Sequence, residues 1–527
     1  MANVLWITTD DVSYTLLQRR CEALGVAHAP ATPNLNTAQD TGINYTRFYG
    51  QSVCSPFRAC SILGRYAFRT GLGNNAQLGF PGAPAVNDSW LCQGIPLVPS
   101  ATFGKWHLYT SEHTVDSARD AGQFWVHKGL ALGNVVGNDT YWHWDRYENG
   151  VLKDTAGLNS KQGLADGVNN RNAANYLSHI VVQDALDWIA IQPSRWFCWV
   201  QMQAPHRPIH FPPTAAERAS AGISPNQYMS VAHEALLTNY SIYLGITPGD
   251  PVAAKAAIIA EGWDPDSESA LAGFIGMVET IDYEIGRLLA AVDTSRTGDT
   301  TVMIFSDNGE NDPVVQPPLD PDHAKGSQYE LSIRLPLIIK GPDIPLLNYG
   351  KDCRSLVHAV DLWRTTLRLF GVNIGNMFPG VTSDSKNIAS TFTDLEATPR
   401  TSLYCENFLT KQQVSDAGGG GPKGGIKDAA TGETNDPNFG PIAQWERTMV
   451  DDNWKLITRM PTGPASVIGD ITYELYNTRS DYLEEYNMIR EPNRFPQGVE
   501  DVSGSEAAWL AVLRLKALED DLLPYPT

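Results

Sequence analysis

With 527 residues the chain is too long for one average domain, and 42% hydrophobic residues at a mean hydropathy of −0.25 fit a globular protein with a substantial core. Fifty-nine acidic against 39 basic side chains give a formal charge of −20, which argues against nucleic acid or an anionic membrane as the main partner. The same field would repel an anionic substrate unless a local group of cations overcame it.

The first element follows almost at once. Val4–Thr8 is a short apolar run that suits a strand covered on both faces. No charged n-region and apolar h-region precede it, and no run approaches the length of a membrane span, so the expectation is a cytoplasmic protein. Asp10 and Asp11 come directly after this strand. Seven cysteines lie between Cys21 and Cys405 without disulfide-framework spacing or a C-x-x-C pair, and read as reduced, buried thiols.

Gln51–Tyr66 reads Q-S-V-C-S-P-F-R-A-C-S-I-L-G-R-Y. Pro56 favours the first turn of a helix, which puts Cys54 at the helix N-terminus, where free N–H groups and the macrodipole stabilise an anion. Arg58 follows one turn later on the same face. Lys105 and His107, in T-F-G-K-W-H-L, are two residues apart, so an extended backbone would point both to one side. Tyr141-Trp142-His143-Trp144 reads as core or a loop anchor rather than a substrate wall, and Asn138–Thr140 fits a glycosylation sequon by chance.

Further on, Trp196–Met202, Thr301–Phe305 and Leu335–Ile339 repeat the buried-strand pattern. His206 lies in Q-A-P-H-R-P after the first of these. Asp307 and Asn308 lie in S-D-N-G-E after the second. Lys325 lies in H-A-K-G-S-Q-Y-E-L-S-I-R-L-P. Between strands come helical periodicities, Leu271 to Val292 and Leu356 to Phe370, the latter stopped by Gly371. Alternating strands and helices predict an α/β fold with a parallel sheet. The glycine segment Gly418–Gly425 is a flexible break. Beyond it Thr448–Arg459 and Asp470–Tyr476 read as strands and Glu506–Leu518 as a helix.

In open α/β sheets ligands gather at the carboxyl ends of strands. Two such ends would bring Asp10, Asp11, Asp307 and Asn308 together, which requires a cation, and all-oxygen donors select Ca²⁺ or Mg²⁺ over zinc. Singly these residues have plain readings: D-D a solvated turn, the lysines surface charge, the histidines structural, Cys54 a small buried hydrophobe.

Together they resemble something specific. Cys54, Pro56 and Arg58 match the C-x-P-x-R core of the type I sulfatases, and Gly64-Arg65 matches that family's L-T-G-R extension. Phe57 and Leu63 stand where serine and threonine are usual. Thr102–Leu108 resembles G-K-W-H-L-G with Tyr109 for the last glycine, Gln203–Pro208 resembles A-P-H-x-P, and His323–Pro336 resembles K-G-x-x-Y-E-G-G-I-R-x-P with Leu331-Ser332 for the glycine pair. Arg447–Ile457 and Glu474–Asn487 resemble the family's closing segments, so the resemblance runs along nearly the whole chain in the usual order.

The resemblance implies an alkaline-phosphatase-like α/β fold: a large, mostly parallel mixed sheet flanked by helices over residues 1–395, then a smaller C-terminal α+β domain of antiparallel sheet and helix over 396–527. It implies hydrolysis of small-molecule aryl or sugar sulfate esters. The nucleophile would be a formylglycine hydrate made from Cys54 by the formylglycine-generating enzyme. Asp10, Asp11, Asp307 and Asn308 would hold Ca²⁺, or Mg²⁺ as in some members. Arg58 would stabilise the nucleophile, and Lys105 and Lys325 the sulfate oxygens. His206 would protonate the leaving alcohol and His107 would deprotonate the second hydroxyl. A phosphonate monoester or phosphodiester hydrolase on the same fold and nucleophile stays open. A thiolate phosphatase would resemble C-x5-R rather than the C-x3-R present, and a non-catalytic carbohydrate-binding relative would have lost metal or lysine positions. No motif fixes an oligomeric state.

Overall fold

The computed structural model describes residues 3–75, 89–108, 117–130, 141–142, 144–153, 173–193, 195–223, 228–295, 297–410, 442–459, 471–490 and 493–522. Tyr109, Asn138–Thr140, His143 and Gly418–Gly425 lie outside them.

The apolar runs form the middle of a ten-stranded sheet. From edge to edge its strands are Lys351–Cys353, Ile43–Tyr45, Leu337–Lys340, Thr300–Ser306, Asn3–Thr9, Phe197–Gln201, Ser100–Lys105, Val126–Leu130, Tyr147–Glu148 and Val151–Leu152. Five adjacent strands, from Thr300–Ser306 to Val126–Leu130, are parallel. Their carboxyl ends therefore share one edge of the sheet, and Thr9, Gln201, Lys105 and Ser306 finish there side by side.

Alternation along the first strand separates two cores. Val4 and Trp6 face one apolar cluster, Leu5 and Ile7 the other. Trp6 meets Phe197, Trp199 and Phe305 edge-on at 5.2, 5.4 and 5.6 Å between ring centroids. Full burial of each large apolar side chain contributes roughly 1.5–3 kcal/mol. Helices Leu177–Ala190 and Ser269–Ala290 cover the second face, the latter on the stripe expected from its periodicity.

A four-stranded antiparallel sheet, Leu403–Thr410, Ile442–Val450, Trp454–Arg459 and Thr472–Asn477, carries helix Glu506–Leu522. Leu456, Leu475, Val512 and Leu515 belong to the same apolar cluster as Val4 and Trp6.

Three local expectations change. The predicted helix from Leu356 begins only at Asp361, because Val357 and His358 pair as a strand with Phe48 and Tyr49. Leu335 and Leu337 enter different sheets on either side of Pro336, whose missing N–H interrupts the ladder. Thr448–Arg459 is two strands joined by a hairpin, its turn held by Asp451 accepting from the N–H groups of Asn453 and Trp454 at 2.9 Å each.

All seven cysteines are free and buried. Tyr141, Trp142 and Trp144 are buried as packing residues. Among the described residues no helix is long and apolar enough to cross a membrane.

Candidate active site

Helix Cys54–Leu63 is buried along its whole length and opens with Cys54; its first turn is bound from outside the helix, the Ser55 N–H donating to Asn75 Oδ1 at 3.3 Å. Gly64 ends it in the left-handed region (φ 67°), the conformation that favours glycine after a helix. The two departures from the family pattern face inward: Phe57 packs against Phe48 and Phe305, and Leu63 is core. Neither alters the face that carries Cys54 and Arg58.

That face meets the strand ends. Lys105 Nζ is 3.3 Å and Lys325 Nζ 3.4 Å from Cys54 Sγ, and Asp10 Oδ1 is 3.6 Å from it. Lys105 also donates to Asp10, and Lys325 to Asp11. Arg58 Nη2 donates to Asp307 Oδ2 at 2.7 Å and stands 3.6 Å from Asp10. Its Nη1 donates to the Lys105 carbonyl at 2.7 Å and to Gln201 Oε1 at 2.5 Å. Three carboxylates and three cations thus share one buried space.

The backbone allows this at two tight points. Gly104 has φ 97° and a Cβ there would come within 2.0 Å of the Gln201 carbonyl. A Cβ on Gly309 would come within 1.9 Å of the Leu331 carbonyl, so the loop bearing Asp307 and Asn308 closes onto the segment after Lys325 only because this residue is glycine.

Asp11, itself at φ 64°, accepts from Asn308 Nδ2 at 2.7 Å and from Asn311 Nδ2. Burial is the largest influence and would raise its carboxyl, but Lys325, His206 and Lys105 together outweigh it and hold it at about 2. Burial also pushes the Cys54 thiol up to about 12, Asp10 adding to the rise and the two lysines opposing it. Lys325 is raised despite burial, chiefly by Asp11.

His107 and His206 stand in the same field. Burial, then Lys105 and Arg58, hold His107 well below its ordinary value. His206 is part-buried and lowered by burial and Lys105, with Asp11 opposing. Its Nδ1 lies 2.8 Å from the Arg207 carbonyl, and its own carbonyl accepts from Tyr141 at 2.7 Å. His107 is not extended as the two-residue spacing predicts. It turns at φ 56°, and its carbonyl accepts from Ser55 Oγ at 2.9 Å, which ties it to the start of the Cys54 helix.

Four side chains, two of them carboxylates, could hold a divalent cation. Ligand atoms from Asp10, Asp11, Cys54 and His206 lie within 4.8 Å of one another. Asn308 Oδ1 is buried without a hydrogen-bond partner, an oxygen aimed at nothing the protein supplies. Carboxylate and amide oxygens of this kind fit Ca²⁺ or Mg²⁺. Gln201, which orients Arg58, and Asn311, which braces Asp11, were not singled out from sequence. Asn311 adjoins the S-D-N-G-E motif, but Gln201 carries no local signal at all.

Against known proteins, the family model described as Sulfatase matches residues 2–372. An ulvan-active sulfatase of Formosa agariphila is 24% identical over 394 residues, 72% of this chain and 63% of the relative, so the chain spans less than two thirds of it. A solved structure in complex with its substrate D-glucosamine-2-N,6-O-disulfate aligns at a TM-score of 0.61 with 18% identity, covering 99% of both chains. A phosphonate monoester hydrolase of Agrobacterium radiobacter aligns at 0.61 with 16% identity, covering 99% of this chain and 96% of the other.

Proposed function

The chain belongs to the sulfatase family, and from that premise we propose that it hydrolyses aryl or sugar sulfate esters with a nucleophile built on Cys54. The observation that carries this reading is the pair of lysine ammonium groups converging on Cys54 Sγ at 3.3 and 3.4 Å at the start of its helix. A tetrahedral anion centred there would meet two cations at the positive end of a helix. They also answer the charge problem, focusing anions inside an acidic protein.

Burial raises an unconverted thiol, and the C-x3-R spacing differs from the C-x5-R of thiolate phosphatases, which speaks against a thiolate nucleophile. In this proposal Cys54 is oxidised by the formylglycine-generating enzyme. As a hydrate, residue 54 then offers one hydroxyl for attack on sulfur and a second whose deprotonation releases sulfate. A divalent cation, Ca²⁺ or Mg²⁺, held by Asp10, Asp11, Asp307 and Asn308 would acidify the attacking hydroxyl.

The side chains divide the remaining work. Arg58, fixed by Asp307 and Gln201, supports the anionic form of residue 54. Lys105 and Lys325 neutralise sulfate oxygens as charge builds on them. His107, held neutral by burial and its cationic neighbours, accepts the second hydroxyl's proton. His206 donates to the leaving alcohol with help from Lys325. A bound sulfate raises its proton affinity, opposing the effects of burial and Lys105.

The same cations would accept a phosphonate or phosphate diester, and the aligned phosphonate monoester hydrolase gives that alternative a specific basis in the fold. Mass spectrometry of the peptide containing residue 54, with parallel assays on sulfate, phosphate-diester and phosphonate esters, tests the proposal. The expected result is an aldehyde at position 54 and the highest kcat/KM on sulfate. Fully active protein with an intact cysteine would sink the mechanism, and a preference for phosphonate would reassign the substrate.

A further inference from the structure

A second concavity, of about 540 Å³, lies between the sheet edge and the C-terminal strands, and none of the residues around Cys54 lines it. Its walls carry Arg20, Arg47, Arg334, Arg354 and Arg479, five arginines against the carboxylates Glu330 and Asp352. In a chain of formal charge −20 this is a local reversal of sign.

The arginines are only thinly neutralised. The Arg20 and Arg334 guanidiniums stand 4.8 and 4.7 Å from the centre of the Tyr14 ring, so two like charges gather about one phenol. The ion pair of Arg20 is a 3.7 Å contact with Asp352. Arg334 lies 3.3 Å from Glu330, which is shared with Lys455 at 3.3 Å and the Tyr49 hydroxyl at 3.1 Å. Arg47 and Arg479 both bind Asp452. Arg354 is exposed, with no ion-pair partner among the described residues. On the same wall Thr478 Oγ1 is buried without a hydrogen-bond partner, and Tyr482 is 48% exposed.

Planar guanidiniums match tetrahedral oxyanions in a two-pronged way that lysine cannot. The volume is that of a site for an organic ligand rather than a single ion. An exposed tyrosine beside the cations offers a face for a sugar ring. The walls also continue the catalytic segments: Tyr14 is three residues beyond Asp11, and Glu330 five beyond Lys325. We propose that this cavity is an accessory site that binds a multiply sulfated saccharide chain through the sulfate groups that are not being cleaved. The choice of sulfate rests on the proposed function above; the oxyanion chemistry rests on the arginines alone.

Equilibrium binding to the intact chain tests it, with a sulfated hexasaccharide, its desulfated counterpart and inorganic sulfate as probes. The parent is compared with the Arg20→Ala/Arg354→Ala double variant. The expected result is binding of the sulfated hexasaccharide that weakens about tenfold or more in the variant and depends less on salt. The desulfated sugar should not bind, and inorganic sulfate should compete only at far higher concentration. Turnover of a small aryl sulfate should be equal in the two proteins. Equal hexasaccharide affinity in parent and variant overturns the proposal, as does inorganic sulfate competing at the hexasaccharide's own concentration, which would make this a free-ion site. Failure of the parent to turn over any aryl sulfate would instead count against the catalytic reading, a result distinct from the binding comparison.

Discussion

Two buried charge clusters in this molecule look alike in composition and differ in completeness. At the start of helix Asp361–Leu369, Asp361 Oδ1 accepts from the Lys386 N–H at 2.7 Å and from Arg400 Nη2 at 2.5 Å. Its Oδ2 accepts from the His358 N–H at 2.8 Å and from Arg400 Nε at 3.0 Å. Arg400 spends its remaining three donors on the Tyr66 hydroxyl at 2.7 Å, the Asp384 carbonyl at 2.8 Å and the Ser402 carbonyl at 3.4 Å. That pair is closed: every lone pair and proton has a partner within the protein. Around Cys54 three carboxylates and three cations are gathered out of water, Lys325 alone part-buried, yet Asn308 Oδ1 is left without a partner. A closed pair fixes the fold. An open one keeps capacity for a ligand, and its desolvation cost is offset only when the ligand arrives.

Breaking the open cluster should chiefly affect chemistry. Cys54→Ala is expected to lower kcat by about 10⁴-fold or more, as loss of a nucleophile does, with little change in thermal midpoint. Retained turnover would remove residue 54 from the mechanism.

Breaking the closed cluster should chiefly affect stability. Arg400→Ala leaves Asp361 buried and uncompensated, at a cost of about 3–5 kcal/mol by denaturant unfolding. The folded fraction should keep its kcat. Loss of kcat in well-folded Arg400→Ala protein would show that the closed cluster serves the chemistry too.

Ligand linkage separates the clusters more finely. Calcium at about a hundred times its dissociation constant should stabilise the metal-stripped parent by about 2.7 kcal/mol, read as a rise in thermal midpoint. Asp307→Asn should blunt that rise, and Arg400→Ala should leave its size unchanged.

The smallest effect concerns pH. His358, beside Arg400, is held well below its ordinary value, first by burial and then by that guanidinium, and its Nδ1 accepts from the Val360 N–H at 3.2 Å. A lowered folded-state value means its contribution to stability is present above the unfolded value near 6.5. The contribution is lost as pH falls below that value, because the unfolded chain takes up a proton that the folded chain refuses. The slope approaches about 1.4 kcal/mol per pH unit. His358→Phe should flatten stability between pH 6.5 and 5, measured by unfolding at several pH values. An unchanged slope would show that His358 does not supply it.

Much of the open cluster was legible in the sequence because its residues sit at strand ends and a helix start, where local pattern and position coincide. Asp10 and Asp11, Asp307 and Asn308, and Cys54 with Arg58 all follow that rule. His107 broke it: its spacing from Lys105 suggested an extended backbone, whereas the chain turns at φ 56° once the strand has ended. The closed cluster was not legible at all. Asp361 and Arg400 are 39 residues apart and neither stands in a recognisable motif. The helix that starts at Asp361 was misjudged because the apolar spacing of Leu356 and Val360 mimics a helical stripe that a strand pairing overrides.

The sequence by itself determined the parallel sheet core, the helix that opens on Cys54 and the inventory of charged groups, because these depend on local periodicity and on chemistry carried within a few residues. Only the tertiary structure decided which of those charges satisfy one another and which stay available. Hydrogen-bond saturation in a buried space is a property of distant segments brought together, and no local stretch of chain encodes it.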